Sequence, residues 1–163
     1  KTLEEHAARM ATEGKLIAQV ALPESCAHGT YFAPRAFEIP SLATLTREVF
    51  GPVLHVVRYA AKDLDAVIDA INATGYGLTL GIHSRIDGTV AHIQRRARAG
   101  NCYVNRNMIG AVVGVQPFGG EGLSGTGPKA GGPHYLARFA TERTLTINTT
   151  AAGGNASLLT LGT

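Results

Sequence analysis

Along the first third of the chain the spacing of apolar positions changes several times, and each change marks an element. Leu3, Ala7, Met10 and Ala11 recur at helical spacing and stop before Gly14, which predicts an amphipathic helix. LIAQVAL at residues 16–22 is strand-like, and residues 23–30 form a polar loop. Residues 31–39 read as a second extended segment with Pro34 at an edge or bend. A clearer alternation begins at Val53. VLHVVRY at residues 53–59 is nearly continuously apolar, the mark of a strand covered on both faces in a parallel sheet. Asp63 is placed to cap a helix whose Leu64, Val67, Ile68 and Ile71 share one face and which Gly75 ends. A strand at residues 78–82 follows, then a helix with Asp87 at its cap and Val90, Ile93 and Ala97 facing in. Gly100 closes that helix, and Cys102, Tyr103 and Val104 begin another strand. The order predicts the α/β class: a parallel-sheet βαβ core with right-handed crossovers.

The pattern then weakens. Residues 109–132 (IGAVVGVQPFGGEGLSGTGPKAGG) are rich in glycine and poor in helix formers, and a loop this long in a compact domain is more often functional than idle. Residues 133–141 suit a short helix and TLTIN at 144–148 a strand, whereas 149–163 are small, polar and poorly periodic. The chain therefore divides into a core at 1–142 and, at 143–163, a C-terminal β-strand arm and tail that need a partner.

Composition narrows the classes. With 163 residues, 45% of them hydrophobic, the chain can bury a core. The formal charge of +3 includes one dense basic cluster, Arg95, Arg96 and Arg98, at the end of a predicted helix, where it complements the helix macrodipole. Aromatics are 6% with no Trp, which argues against nucleic-acid contacts from this segment. Cys26 and Cys102 lie far apart without CxxC spacing, which suits a reducing, cytoplasmic setting. No apolar run approaches the roughly 18 residues of a membrane helix, and the start is not that of a signal peptide. A chain beginning at Lys1 inside a helix reads as a piece of something longer.

Candidate chemistry is sparse. GEGLSG (Gly120 to Gly125) formally matches the dinucleotide fingerprint G-x-G-x-x-G, but Gln116-Pro117-Phe118 before it and Gly127-Pro128 after it do not supply the required strand and helix. Gly110-Ala111 is a pair of small residues where two backbone N–H groups can hold a carboxylate, or simply form a turn. Cys102 sits in a predicted buried strand and reads as structural, and Cys26 with His28 nearby does not establish an activated pair. His55 reads as a satisfied core residue, and the other histidines lack metal-ligand spacing. Glu48-Val49-Phe50-Gly51-Pro52 presents an acceptor and a flat apolar face at a strand entrance. A ribose diol needs the first and a nicotinamide packs on the second, but the same residues also suit an ordinary turn.

Taken together, TREVFGPVLHVVRY, NATGYGLTLGIHSRI and AGNCYVNRN resemble successive motifs of the aldehyde dehydrogenase superfamily, in order and over essentially the whole chain. VGVQPFGGEGLSGTGPKAGGPHYL is similar to the group that oxidises glutamate γ-semialdehyde, the open form of pyrroline-5-carboxylate. The ending TINTTAAGGNASLL resembles the C-terminal region of the bacterial proline utilization A enzymes, which fuse this activity to an FAD-dependent proline dehydrogenase.

The resemblance implies roles. Glu48 would accept hydrogen bonds from the nicotinamide ribose of NAD and Phe50 would lie against the nicotinamide. Gly110 and Ala111 would anchor the substrate's α-carboxylate, Phe118 would form part of the aromatic wall around the aldehyde chain, and Gly114 would allow the loop a close turn. The strand at 144–148 with its tail would pack on another subunit of a homo-oligomer. The family's nucleophilic cysteine, general-base glutamate, oxyanion-holding asparagine and dinucleotide-binding sheet all precede the matched region. Cys26, Cys102 and Asn105 do not stand in those motifs. The chain is thus expected to be an inactive fragment of the dehydrogenase, the alternative being a stand-alone oligomerisation or small-ligand-binding module.

Overall fold

The computed structural model describes residues 1–112, 114–125, 127–148 and 151. Helix α1 (Thr2–Glu13) forms where the helical spacing predicts it and turns His6, Ala7 and Met10 inward. Its Arg9 pairs with Glu13 one turn on, at 2.9 Å, and donates to the Thr44 carbonyl, tying the helix to the following segment. Strands β1 (Lys15–Gln19), β2 (Arg35–Glu38) and β3 (Val53–Val56) make a three-stranded sheet in which β1 is antiparallel to β2 and β2 is parallel to β3. Phe37 lies beside His55 in the parallel register, and strand alternation turns both toward α1. Met10 and Phe37, buried to within 2% of their surface, form the core with Ala7 and Ile39, and Phe32, Leu45, Val53 and Val57 pack around them.

The second half is a smaller α/β unit. Helix α2 (Leu64–Ala73) buries Ile68 and half-buries Leu64, Val67 and Ile71. A two-residue strand, β4 (Tyr76–Gly77), leads into β5 (Thr79–Ile82), and helix α3 (Asp87–Arg96) then crosses to β6 (Asn101–Val104), which pairs with β5 in parallel. Later, β7 (Glu121–Gly122) pairs antiparallel with β4.

The α/β class therefore holds, but among the described residues the strands form three small sheets rather than one continuous core. β3 joins β2 instead of continuing toward β5, and its Leu54 is 62% exposed, so it is not covered on both faces within this chain. Asp63 and Asp87 do not cap with their side chains: Asp63 occupies the N-cap position without a capping bond, and Asp87 is the first residue inside α3. Val90, Ile93 and Ala97 are only half-buried. Residues 133–141 contribute a short 3₁₀ turn (Leu136–Phe139), and residues 144–148 join none of the sheets. Most of the predicted tail, 149–150 and 152–163, lies outside the described residues.

Charges knit the two helices together. Arg96 reaches Asp65 at 3.1 Å and Asp69 at 2.9 Å, and His92 meets Asp65 at 2.5 Å. The hydrogen bond from His92 and the charge of Arg96 hold the Asp65 carboxyl below its usual range, and Asp69 and Asp65 push Arg96 up. Within the basic cluster, Arg96 thus acts structurally, serving the neighbouring helix as well as its own C-terminus.

His55 does have a partner: its Nε2 lies 2.9 Å from Nε2 of the buried His6, with the rings edge to face. Burial is the main cause that lowers both pKa values. Arg9 and Arg47 lower His6 further against the opposing effect of Glu13, and His6 and Arg9 lower His55. The unfolded chain takes up protons as pH falls through the ordinary histidine value of about 6.5, whereas the folded pair resists them until lower pH. The pair's contribution is therefore whole above that value and is lost as pH falls below it. The urea midpoint is expected to drop between about pH 7 and about pH 5. His55→Gln, which keeps a polar partner without titrating, should flatten that drop, and parallel curves for the two proteins would contradict the assignment.

Candidate functional site

Glu48 and Phe50 stand on the turn into β3, shaped by Gly51 and Pro52, with the Val53 N–H donating to the Gly51 carbonyl at 2.8 Å. Both side chains face solvent, Phe50 with 84% of its surface open. Glu48 borders two clefts, one shared with Arg47, Ala73, Tyr76 and Leu123 and the other with Ile71, Gly77 and Ser124. The glycine-rich segment thereby reaches the Glu48 side through Leu123 and Ser124. Gly110, Ala111 and Phe118 do not line either cleft.

Those three residues hang instead from β6. Its burial alternates, with Asn101 and Tyr103 turned inward and Cys102 and Val104 outward. The Tyr103 hydroxyl donates to the Gly110 carbonyl at 3.0 Å, and the Arg106 guanidinium covers the Tyr103 ring. Gly110 adopts φ +65°, a left-handed conformation that glycine alone takes at little cost. Among the described residues the N–H groups of Gly110 and Ala111 have no intramolecular acceptor. Gly114 also sits in a turn at positive φ, next to Val113, which lies outside the described residues.

Phe118 is half-buried and forms an isolated antiparallel bridge with Ala130, exchanging both backbone hydrogen bonds at 3.0 and 2.9 Å. Phe118 lines a cleft with Tyr135 and Phe139, whose rings meet edge to face. The stretch from Gly120 to Gly125 is not a strand-to-helix junction: it contains β7, and Ser124 accepts the Gly77 N–H at 3.0 Å. Among the described residues, a strand edge and a turn here leave no helix N-terminus for a pyrophosphate.

Cys102 corrects one expectation. Its apolar neighbours suggest burial, but strand parity places it on the outer face and it is exposed. What burial there is pushes the thiol up, keeping it protonated rather than activated. Among the described residues no cluster of His, Cys, Asp or Glu could hold a metal ion, and no helix is long and apolar enough to cross a membrane.

Other residues hold the glycine-rich segment without any motif implying a role for them. Asn101 donates through Nδ2 to the Pro117 carbonyl at 3.0 Å and accepts the Gly119 N–H at 3.2 Å, and Lys129 Nζ donates to the Gly100 carbonyl. The available signal was an asparagine opening an apolar strand, where a polar side chain needs a reason. Gly100, expected to close α3, serves another purpose: α3 ends at Arg96 with Ala97 as its extended C-cap, and a Cβ on Gly100 would lie 1.8 Å from the Gly119 carbonyl oxygen.

The aldehyde dehydrogenase family model matches residues 1–145. The chain is 58% identical over 139 residues to the bifunctional protein PutA of Rhizobium meliloti, covering 85% of this chain and 11% of that protein. A crystal structure of a Bradyrhizobium japonicum proline utilization A mutant superposes with TM-score 0.84 at 63% identity, over 91% of this chain and 15% of the other. A 1-pyrroline-5-carboxylate dehydrogenase from Thermus with bound NAD superposes with TM-score 0.74 at 37% identity, over 85% of this chain and 26% of the other. The chain thus spans about a tenth of the length of the PutA relative it matches.

Two glycine substitutions separate close packing from ordinary helix propensity. Gly100→Ala should destabilise the protein by about 2–3 kcal/mol and speed amide exchange at Gly119, because backbone cannot yield as a side chain can. Gly88→Ala in α3 meets nothing within 4 Å and should be neutral or stabilise by up to about 1 kcal/mol. Urea midpoints measured side by side check both, and similar shifts for the two would refute the close-approach account.

Proposed function

This chain belongs to the aldehyde dehydrogenase family, and on that premise we propose that it is the C-terminal part of an NAD-dependent dehydrogenase that oxidises L-glutamate γ-semialdehyde to glutamate in proline catabolism. In this reading residues 1–142 are the C-terminal part of the catalytic domain and 143–163 an oligomerisation strand and tail. The parent acts in the cytoplasm and carries an FAD-dependent proline dehydrogenase in the same polypeptide.

The observation that carries the substrate reading is the pair of unclaimed N–H groups at Gly110 and Ala111. Backbone donors held at a left-handed turn present fixed partial positive charge to a carboxylate and need little reorganisation on binding. Fixing the α-carboxylate there restricts where the aldehyde carbon of a short chain can lie, which is how positioning contributes to rate. Phe118, beside Tyr135 and Phe139, offers that chain an apolar wall.

NAD fits the Glu48 side, because an open carboxylate and an unpacked aromatic face stand together on one turn. Glu48 would hold the nicotinamide ribose and Phe50 would pack on the nicotinamide; NAD, when bound, supplies the hydride acceptor. The chain's own contribution is to orient substrate and cofactor, since the exposed and protonated Cys102 does not serve as the nucleophile.

A self-contained binding or assembly module is disfavoured by large apolar side chains open to solvent on β1, β3, β4 and β6: Leu16 and Ile17, Leu54, Tyr76 and Val104. Leu145 and Ile147, 76% and 69% exposed, suit a strand that pairs with another subunit.

The isolated chain, given NAD and glutamate semialdehyde, should produce no NADH above a buffer control. In the complete enzyme, kcat/KM should favour the semialdehyde by about 100-fold over the same-length aldehyde lacking the α-carboxylate, the scale of a lost charge-assisted contact. Equal rates with the two aldehydes would refute the carboxylate anchor.

A further inference from the structure

Phe118 carries part of the proposed site, yet the described residues of its glycine-rich segment hold no helix and only a two-residue strand. Its backbone is nevertheless held on both sides. Ala130 takes the residue's own N–H and carbonyl, at 3.0 and 2.9 Å. On the opposite side the Asn101 amide donates to the carbonyl just before Phe118 and accepts the N–H just after it, at 3.0 and 3.2 Å.

A side-chain amide offers the same donor and acceptor as a peptide group, so Asn101 acts toward Pro117 and Gly119 as a neighbouring strand would. It is well placed for this. Asn101 is 8% exposed, its backbone N–H is committed to the Leu78 carbonyl at 3.0 Å, and Lys129 Nζ lies 3.5 Å from its Oδ1 while also donating to Gly100. The hydrogen bonds leave the amide little freedom to turn.

Building on the proposed role of Phe118 as the aldehyde wall, we propose that Asn101 is a positioning residue for substrate selection: its amide sets where the Phe118 ring stands. Asn101 touches neither substrate nor cofactor in this arrangement and acts only through Phe118. Loss of the amide leaves the Pro117 carbonyl and Gly119 N–H without their partner, and the ring's placement relaxes, while Leu123 and Ser124 beside Glu48 keep their own hydrogen bonds to Gly75 and Gly77.

The test uses the complete enzyme with steady-state kinetics for both substrates. Asn101→Ala should raise KM for glutamate semialdehyde about tenfold, the effect of roughly one buried hydrogen bond, with kcat within about twofold and KM for NAD unchanged. Asn101→Asp, which keeps the acceptor for Gly119 but loses the donor to Pro117, should fall between, and it stands in for the alanine variant if that protein does not fold. Combining Asn101→Ala with Phe118→Ala should add little to Phe118→Ala alone.

A rise in both KM values together would make Asn101 merely structural and overturn the proposal. An effect of Phe118→Ala without one from Asn101→Ala would also overturn it, while leaving the aldehyde-wall reading intact. If Phe118→Ala itself left the aldehyde KM unchanged, that underlying reading would fail and the proposal with it.

Discussion

Three asparagine side chains stand in for missing backbone neighbours, and much of the second half of the chain depends on them. Asn72 donates to the Arg96 carbonyl and accepts the Arg98 N–H, at 2.9 and 2.8 Å. Asn105 does the same toward Ser84 at 2.9 and 3.0 Å, and Asn101 toward Pro117 and Gly119. The constraint is strictest at Asn101, whose bonds are part-buried, because backbone N–H and carbonyl groups leaving water need partners; the bonds of Asn72 and Asn105 stay exposed. Where the chain has no strand to supply one, a short amide side chain with one donor face and one acceptor face can do so.

The Asn101 clamp works together with a steric condition. Bonding to Pro117 and Gly119 draws the loop close to the strand, and Gly100 leaves room for it, since a Cβ there would meet the Gly119 carbonyl. Ser124, accepting the Gly77 N–H, joins the loop to β4 farther along. The glycine richness of residues 109–132 then has two meanings: close approach where the loop crosses strand backbone, and left-handed turns such as that at Gly110. Neither is the phosphate-binding use that GEGLSG formally suggests.

Helical periodicity made α1, α2 and α3 legible, because one-sided apolar spacing directly reflects a buried stripe. Strand existence was also legible, at 53–56 and 79–82, but strand partnership was not: an apolar run reports burial and not which neighbour supplies the hydrogen bonds. That is why β3, read as part of a single parallel core, lies beside β2 instead. Cys102 shows the same limit at one residue. Alternation assigns faces only once parity is known, and here Asn101 and Tyr103 set it, turning the thiol out. The caps failed for two local reasons: Asp87 is already inside its helix, and Asp63 stands at the N-cap position but makes no side-chain bond to the first turn. The resemblance singles out Glu48, Phe50, Gly110, Ala111 and Phe118 as candidates, but not Asn101, whose contacts lie sixteen and eighteen residues away.

Strand β6 relates two of the proposed substrate elements to each other. Asn101 and Tyr103 are two residues apart and face the same side, so their Cα atoms are separated by roughly 6.6 Å along the strand. The first holds the peptide groups flanking Phe118 and the second holds the Gly110 carbonyl beside the two unclaimed N–H groups. Both attachments are made to one pleated element whose own spacing is fixed by backbone geometry. The proposed carboxylate anchor and apolar wall therefore cannot drift independently, even though more glycine than regular structure lies between them. A site that selects a chain by its length needs such a reference, and a strand provides it more firmly than a loop does.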